Sequence, residues 1–250
     1  MSQVAGNVDA AGDREGWRVA GAAIDDLADR FRSRLVSAYV IGSLAHGGFE
    51  PAVSDVDVAV LLDACTSEVP GRVAEAVLTT RERLRSDLAH RLSVFYGDWS
   101  TFANPAAPAR LEAIDRLDLM QNGVLVAGLD HRHETGHVPS RRELISATAS
   151  FLARNPLRTG DAVLLVAAGP RELTKTVLFP VRFLYTQATG RAGANAEAAE
   201  WYCGERRPAA PLVRAALTWR RGSVPGDEAV SLVRTHLRGL QDECMRAFAG

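Results

Sequence analysis

The stretch from Val36 to Leu62 constrains this chain most. An apolar run, Ala38 to Ile41, ends at Gly42-Ser43; about a dozen residues later Asp55 and Asp57 head a second apolar run that reaches Leu62. Short runs rich in valine and isoleucine, punctuated by glycine and serine, read as strands. Side chains on a strand alternate between faces, so Asp55 and Asp57 project the same way while Val56 and Val58 turn into a core. Two carboxylates side by side at a sheet end repel unless a cation joins them. An oxygen-only pair open to water and to phosphate oxygens suits Mg²⁺. Gly42 has no Cβ, so backbone N–H groups and the Ser43 hydroxyl can approach a polyphosphate closely. Together these parts describe a nucleotidyl-transfer site.

The chain has 250 residues, enough for one large domain or two small ones. A formal net charge of −1 argues against a dedicated nucleic-acid or membrane-surface protein, since those usually carry a basic excess. Cys65, Cys203 and Cys244 are far apart and lack CxxC spacing, so neither disulfides nor zinc are suggested. The amino terminus has no apolar signal core, and no run approaches the roughly 18 apolar residues of a membrane span. A soluble, cytoplasmic protein is expected.

Periodicity supplies the organisation. Residues 1–14 are small and polar and read as a disordered leader. Ile24, Leu27, Phe31 and Leu35 recur at three- and four-residue steps, predicting a helix from Trp17 to about Arg34. Strands are expected at Val36–Ile41, Ser54–Leu62 and Leu92–Tyr96, the last stopped by Gly97. A short helix is expected within 43–50, and a long one from Pro70 with Val73, Val77, Leu84 and Leu88 on one face. The Pro/Ala stretch 103–109 reads as a loop, and Gln121-Asn122-Gly123 predicts a hairpin joining Asp118–Met120 to Val124–Val126. The polar segment 129–139 is the best linker. Beyond it the pattern is helical, at 140–154, 171–189, 195–206, 209–221 and 227–248, the last capped by Asp227. An α/β half followed by an all-helical half suggests two domains with a cleft between them.

The Gly-Ser turn followed by an Asp-x-Asp strand resembles the DNA polymerase β nucleotidyltransferase superfamily. With Gly47-Gly48-Phe49-Glu50-Pro51 in the spacer and Ser54 directly before Asp55, it looks most like the bacterial aminoglycoside nucleotidyltransferases. A second match follows: the run from Arg182 through Tyr185 to Thr189-Gly190-Arg191, then Ala198-Ala199-Glu200-Trp201, is similar to the helical domain of streptomycin/spectinomycin 3″(9)-type adenylyltransferases. The resemblance spans roughly residues 35–220. It implies an α+β fold: a polymerase-β-like domain, a small mixed sheet with flanking helices over 15–130, then a linker at 131–139 and an all-helical bundle over 140–250.

The resemblance also implies roles. Asp55 and Asp57 would hold Mg²⁺ against the phosphates of ATP. Gly42, Ser43 and Ser54 would line the nucleotide, and Arg182 would neutralise phosphate charge. Glu172 would meet a cationic amine of the acceptor. The partners implied are a nucleotide and a small cationic molecule, with no nucleic acid and no membrane. Two positions depart from the pattern. Where a third carboxylate would serve as metal ligand and base, the chain has Ser93; Asp98 is the nearest acid, five residues on, and turns to the opposite face unless Gly97 introduces a bulge. Where a lysine follows the Thr-Gly turn, the chain has Asn195, and Lys175, two helical turns before Arg182, is the candidate substitute.

Other features have plainer readings. His131, His133 and His137 lie in a polar connector and are weighed as solvated residues against a zinc site. The arginines of 204–222 read as a solvated helical face rather than a nucleic-acid patch. A second class of function stays open: a catalytically impaired relative that binds nucleotide and acts as a sensor or protein partner.

Overall fold

The computed structural model describes residues 10–99, 109–135, 137–155 and 161–248. These divide into two units: residues up to Ala109 with Val124–Asp130, and Arg110–Gly123 with the chain from His131 onward.

The first unit is built on a mixed sheet of β1 (Leu35–Ile41), β2 (Val56–Leu62), β3 (Leu92–Asp98) and β4 (Val124–Gly128), in the order β3-β2-β1-β4. β2 pairs antiparallel with β1 and parallel with β3, so it is bonded on both sides. That explains its near-continuous apolar run, since a central strand buried on both faces has no solvent side to alternate with. Helix α1 (Ala10–Phe31) lays Ala20, Ile24, Leu27 and Phe31 against Val40, Val58 and Val60. A one-turn helix α2 (Ser43–His46) follows β1, and α3 (Val69–Leu84) with α4 (Asp87–His90) makes the crossover to β3.

The second unit is helical: α5 (Ala113–Asn122), α6 (Arg132–Thr135), α7 (Arg141–Arg154), α8 (Ala162–Ala167), α9 (Pro170–Thr189), α10 (Asn195–Gly204), α11 (Ala210–Trp219) and α12 (Gly226–Phe248). Its core gathers Leu173, Val177 and Val181 of α9 with Tyr202, Leu212, Val213, Leu237 and Leu240. Gly190 ends α9 in a left-handed cap, a conformation favoured by glycine. Among the described residues, no helix is long and apolar enough to cross a membrane.

Several expectations need correction. Residues 10–14 of the expected leader are the first turns of α1, while 1–9 lie outside the described residues. The helix expected to run through Leu88 breaks at Arg85, which is left-handed at φ 49°, and Ser86 recaps the chain as α4 by accepting the Ala89 N–H. β3 continues through Gly97 to Asp98. The hairpin at Gln121-Asn122-Gly123 is instead the end of α5, and that helix groups with the second unit. The loop 103–109 falls outside the described residues apart from Ala109.

Candidate functional site

β1 delivers its chain end to the edge of Asp57. Ile41 pairs with Asp57 across the antiparallel ladder, and Gly42 then turns the chain at φ 69°, ψ −156°. That backbone region is essentially confined to glycine. A Cβ on Gly42 would lie 2.7 Å from Asp57 Oδ2, so the missing side chain is what lets the turn rest on the carboxylate. The Gly42 carbonyl accepts the N–H groups of Ala45 at 3.0 Å and His46 at 3.1 Å, opening α2 with Ser43 as its first, half-buried residue.

The return to β2 is braced. Phe49 drops back into the core beside Gly16 of α1, where a Cβ would lie 3.0 Å from the Phe49 ring. The N–H groups of Val53 and Ser54 donate to Glu50 O, and Glu50 N–H donates to Ser54 Oγ at 3.0 Å. Arg91, at the foot of β3, donates to Ser54 O at 2.6 Å and to Pro51 O. Asp55 is therefore presented from a pinned loop, with Asp57 two residues on in β2. Val56 and Val58 are buried on either side of half-exposed Asp57.

This donor set fits a hard divalent cation. Two partly exposed carboxylates supply oxygen only, and Mg²⁺ commonly takes one or two carboxylates with water and phosphate oxygens completing its shell. Across the parallel pairing Asp57 faces Ser93, and among the described residues no three His, Cys, Asp or Glu side chains converge on a common point.

Asp98 is a correction: the β2–β3 register runs unbroken from Asp57↔Ser93 to Leu62↔Asp98, so no bulge re-aims it and it lies about 16 Å along the sheet from Asp57. Its carboxylate accepts the Cys65 N–H at 2.7 Å and is buried. Ser54 is buried as well, its hydroxyl tied to Glu50, and braces the loop instead of opening toward a ligand.

Glu172, Lys175 and Arg182 belong to the second unit. With Phe179 they form one half-buried stripe of α9 at steps of three, four and three residues, bordered by the buried Leu173, Thr174, Leu178 and Val181. The Lys175 ammonium lies over the Phe179 ring, 5.9 Å from its centre, and Glu172 pairs with Arg171 at 3.0 Å. Asn195 is the first residue of α10. Tyr185 is core, donating its hydroxyl to Glu197 at 2.6 Å and packing edge-on against Trp201. Arg207 stacks on Trp201 and pairs with Glu205 and Glu243, so it belongs to a packed ionic cluster and not to a solvated face.

Sequence reasoning missed Arg91 and Gly16. Arg91 carried a signal, since an arginine directly before a strand paired to the Asp-x-Asp strand can reach the preceding loop. Gly16 carried none, because its partner Phe49 is distant in sequence.

Residues 23–96 match the family model described as a nucleotidyltransferase domain. Among solved structures, the chain is similar to spectinomycin adenyltransferase AAD(9) from Enterococcus faecialis, determined with ATP and spectinomycin, at 12% identity and a TM-score of 0.63. The match covers 94% of this chain and 99% of that one. At that identity the likeness establishes the fold. A toxin–antitoxin MntA-HpeT mutant matches 52% of this chain and 88% of its own at 18% identity, with a TM-score of 0.33. No curated protein sequence matches.

Proposed function

We propose that the protein, whose residues 23–96 match a nucleotidyltransferase domain, transfers AMP from ATP to a hydroxyl of a small cationic acceptor such as an aminoglycoside, with Mg²⁺ held by Asp55 and Asp57. The observation that carries this reading is the contact of the Gly42 turn with the Asp57 carboxylate, which sets backbone donors beside a cation site. Mg²⁺, when bound, offsets the charge that develops on the phosphates.

Each residue has a part. Gly42 and Ser43 bind phosphate oxygens, and Arg91 keeps the Asp55 loop in place. On α9, Arg182 and Lys175 are the cationic side chains suited to phosphate oxygens and Glu172 is the acid suited to an acceptor amine. The acceptor oxygen attacks the α-phosphorus, the bond to the bridging β oxygen breaks, and pyrophosphate leaves. Ser93 cannot take the hydroxyl proton near neutral pH, so the proton passes to water or to an amine of the acceptor. We place the enzyme in the cytoplasm, where ATP is abundant.

The pairing of Asp57 with Ser93 favours a second reading, a relative that binds nucleotide and turns over slowly or not at all. Incubation with labelled ATP, Mg²⁺ and a panel of aminoglycosides separates the two. Labelled adduct and pyrophosphate, both lost in Asp57→Asn, support transfer. Metal-dependent ATP binding without turnover supports the second reading, and neither signal overturns both.

A further inference from the structure

We propose that Gly16 of α1 is a positioning residue for the nucleotide site, a common seat for the Gly42-Ser43 turn and for the loop that presents Asp55; the inference rests on the reading of those residues given above. All the residues involved belong to the first unit. Gly16 is buried, at the start of the α1 stripe that continues through Val19, Ala20, Ala23 and Ile24. A glycine inside a helix costs backbone entropy and forfeits a side chain, so its place on a core stripe calls for a cause.

The cause lies in two side chains that come down on it from different segments. A Cβ at Gly16 would lie 3.1 Å from Leu44 Cδ1, 3.0 Å from Phe49 Cζ and 3.1 Å from Phe49 Cε1. Carbon atoms settle at about 3.5–4.0 Å, so any larger residue pushes both side chains away. Leu44 is the buried residue of α2 and directly follows Ser43. Phe49 opens the loop braced by Glu50 and Ser54, which hands its position on to Asp55. One missing side chain thus sets both arms of the site.

Helix stability and ligand binding are thereby set against each other. Alanine is the better helix former, so Gly16→Ala gains helix propensity while it lifts Leu44 and Phe49 by a few tenths of an ångström. A glycine needed only for packing loses binding in step with stability; a positioning glycine loses binding alone. Gly21, farther along the same helix, has nothing near its absent Cβ and supplies the comparison.

The test is the full chain carrying Gly16→Ala or Gly16→Leu, with Gly21→Ala as the control. The readouts are Tm, calorimetric affinity for ATP with Mg²⁺, and hydrogen exchange at two pairs of amides. Ala45 and His46 report on the turn through Gly42 O, and Val53 and Ser54 on the loop through Glu50 O. Expected for Gly16→Ala are a Tm no lower than wild type, ATP binding weaker by about fivefold, and faster exchange at both pairs. Gly16→Leu loses more affinity. Adding Phe49→Leu to Gly16→Ala removes the two crowded ring atoms and recovers part of the affinity. Gly21→Ala raises Tm and changes neither binding nor exchange. Unaltered binding and exchange in the folded variants overturn the proposal, as does affinity that falls only in step with Tm, or an equal change in Gly21→Ala. If the wild-type chain binds no nucleotide, the functional reading fails, and exchange at the same amides still decides whether Gly16 seats both segments.

Discussion

Ser93 stands directly beside Asp57 across the parallel pairing of β2 and β3, both half-exposed, with Val94 and Val58 buried behind them. Parallel strands lie about 4.8 Å apart, so a carboxylate at 93 reaches the same point as Asp57. Ser93→Glu is expected to supply the missing acid: tighter Mg²⁺-dependent ATP binding and a rate of adduct formation raised by about 10² or more. Single-turnover kinetics check it, and an unchanged or slower rate counts against a base deficit at this position.

Gly42→Ala forces an L residue into a region with φ 69° and drives its Cβ to within 2.7 Å of Asp57 Oδ2. A loss of about 1–3 kcal/mol in stability is expected from backbone strain, together with weakened ATP binding as Asp57 is displaced. Gly47→Ala serves as a comparison, having positive φ but nothing near its absent Cβ. Denaturant melts and calorimetry of both variants separate strain from loss of the carboxylate contact.

Arg91→Met leaves the carbonyls of Ser54 and Pro51 without their guanidinium donor. The expected cost is about 2 kcal/mol of stability, and a higher metal concentration is needed for ATP binding because Asp55 is no longer held in place. Titration of Mg²⁺ at fixed ATP reads the second effect directly.

Asp115 of α5 has its carboxyl pushed up to about 7, first by burial and then by the charges of Glu112 and Asp118. A carboxyl raised above its unfolded value of 3.8 carries no penalty below that pH and destabilises progressively as pH climbs toward 7. Asp115→Asn is therefore expected to raise Tm at pH 8 and to leave it unchanged near pH 3.5. Thermal melts across that range check the sign, and a stabilisation that grows toward acid pH contradicts it.

The Gly-Ser turn, the Asp-x-Asp strand and the helices α9 to α12 were legible because local pattern and tertiary role coincide there. Gly42 is demanded by its own backbone angles, and the core stripes follow helical spacing. The segment 118–128 misled because Asn-Gly between apolar runs is a strong hairpin signal. Asn122 instead ends a helix, its amide bonding back to Asp118 and across to Ala192, a partner 70 residues away. Asp98 was offered as a catalytic acid by proximity in sequence; the unbroken register through Gly97 carries it to the other end of the strand. The bonds of Gln121 and Asn122 to the turn after α9 were invisible because amide side chains carry no periodic signature.

Divalent-metal-dependent ATP binding, measured by calorimetry on the wild-type chain and on Asp57→Asn, bears most directly on the pairing of Asp55 and Asp57 around a cation. The predicted result is binding that needs Mg²⁺, is abolished by chelation, and weakens by tenfold or more in Asp57→Asn. Equal affinity in the two proteins, or ATP binding indifferent to chelation, would contradict it.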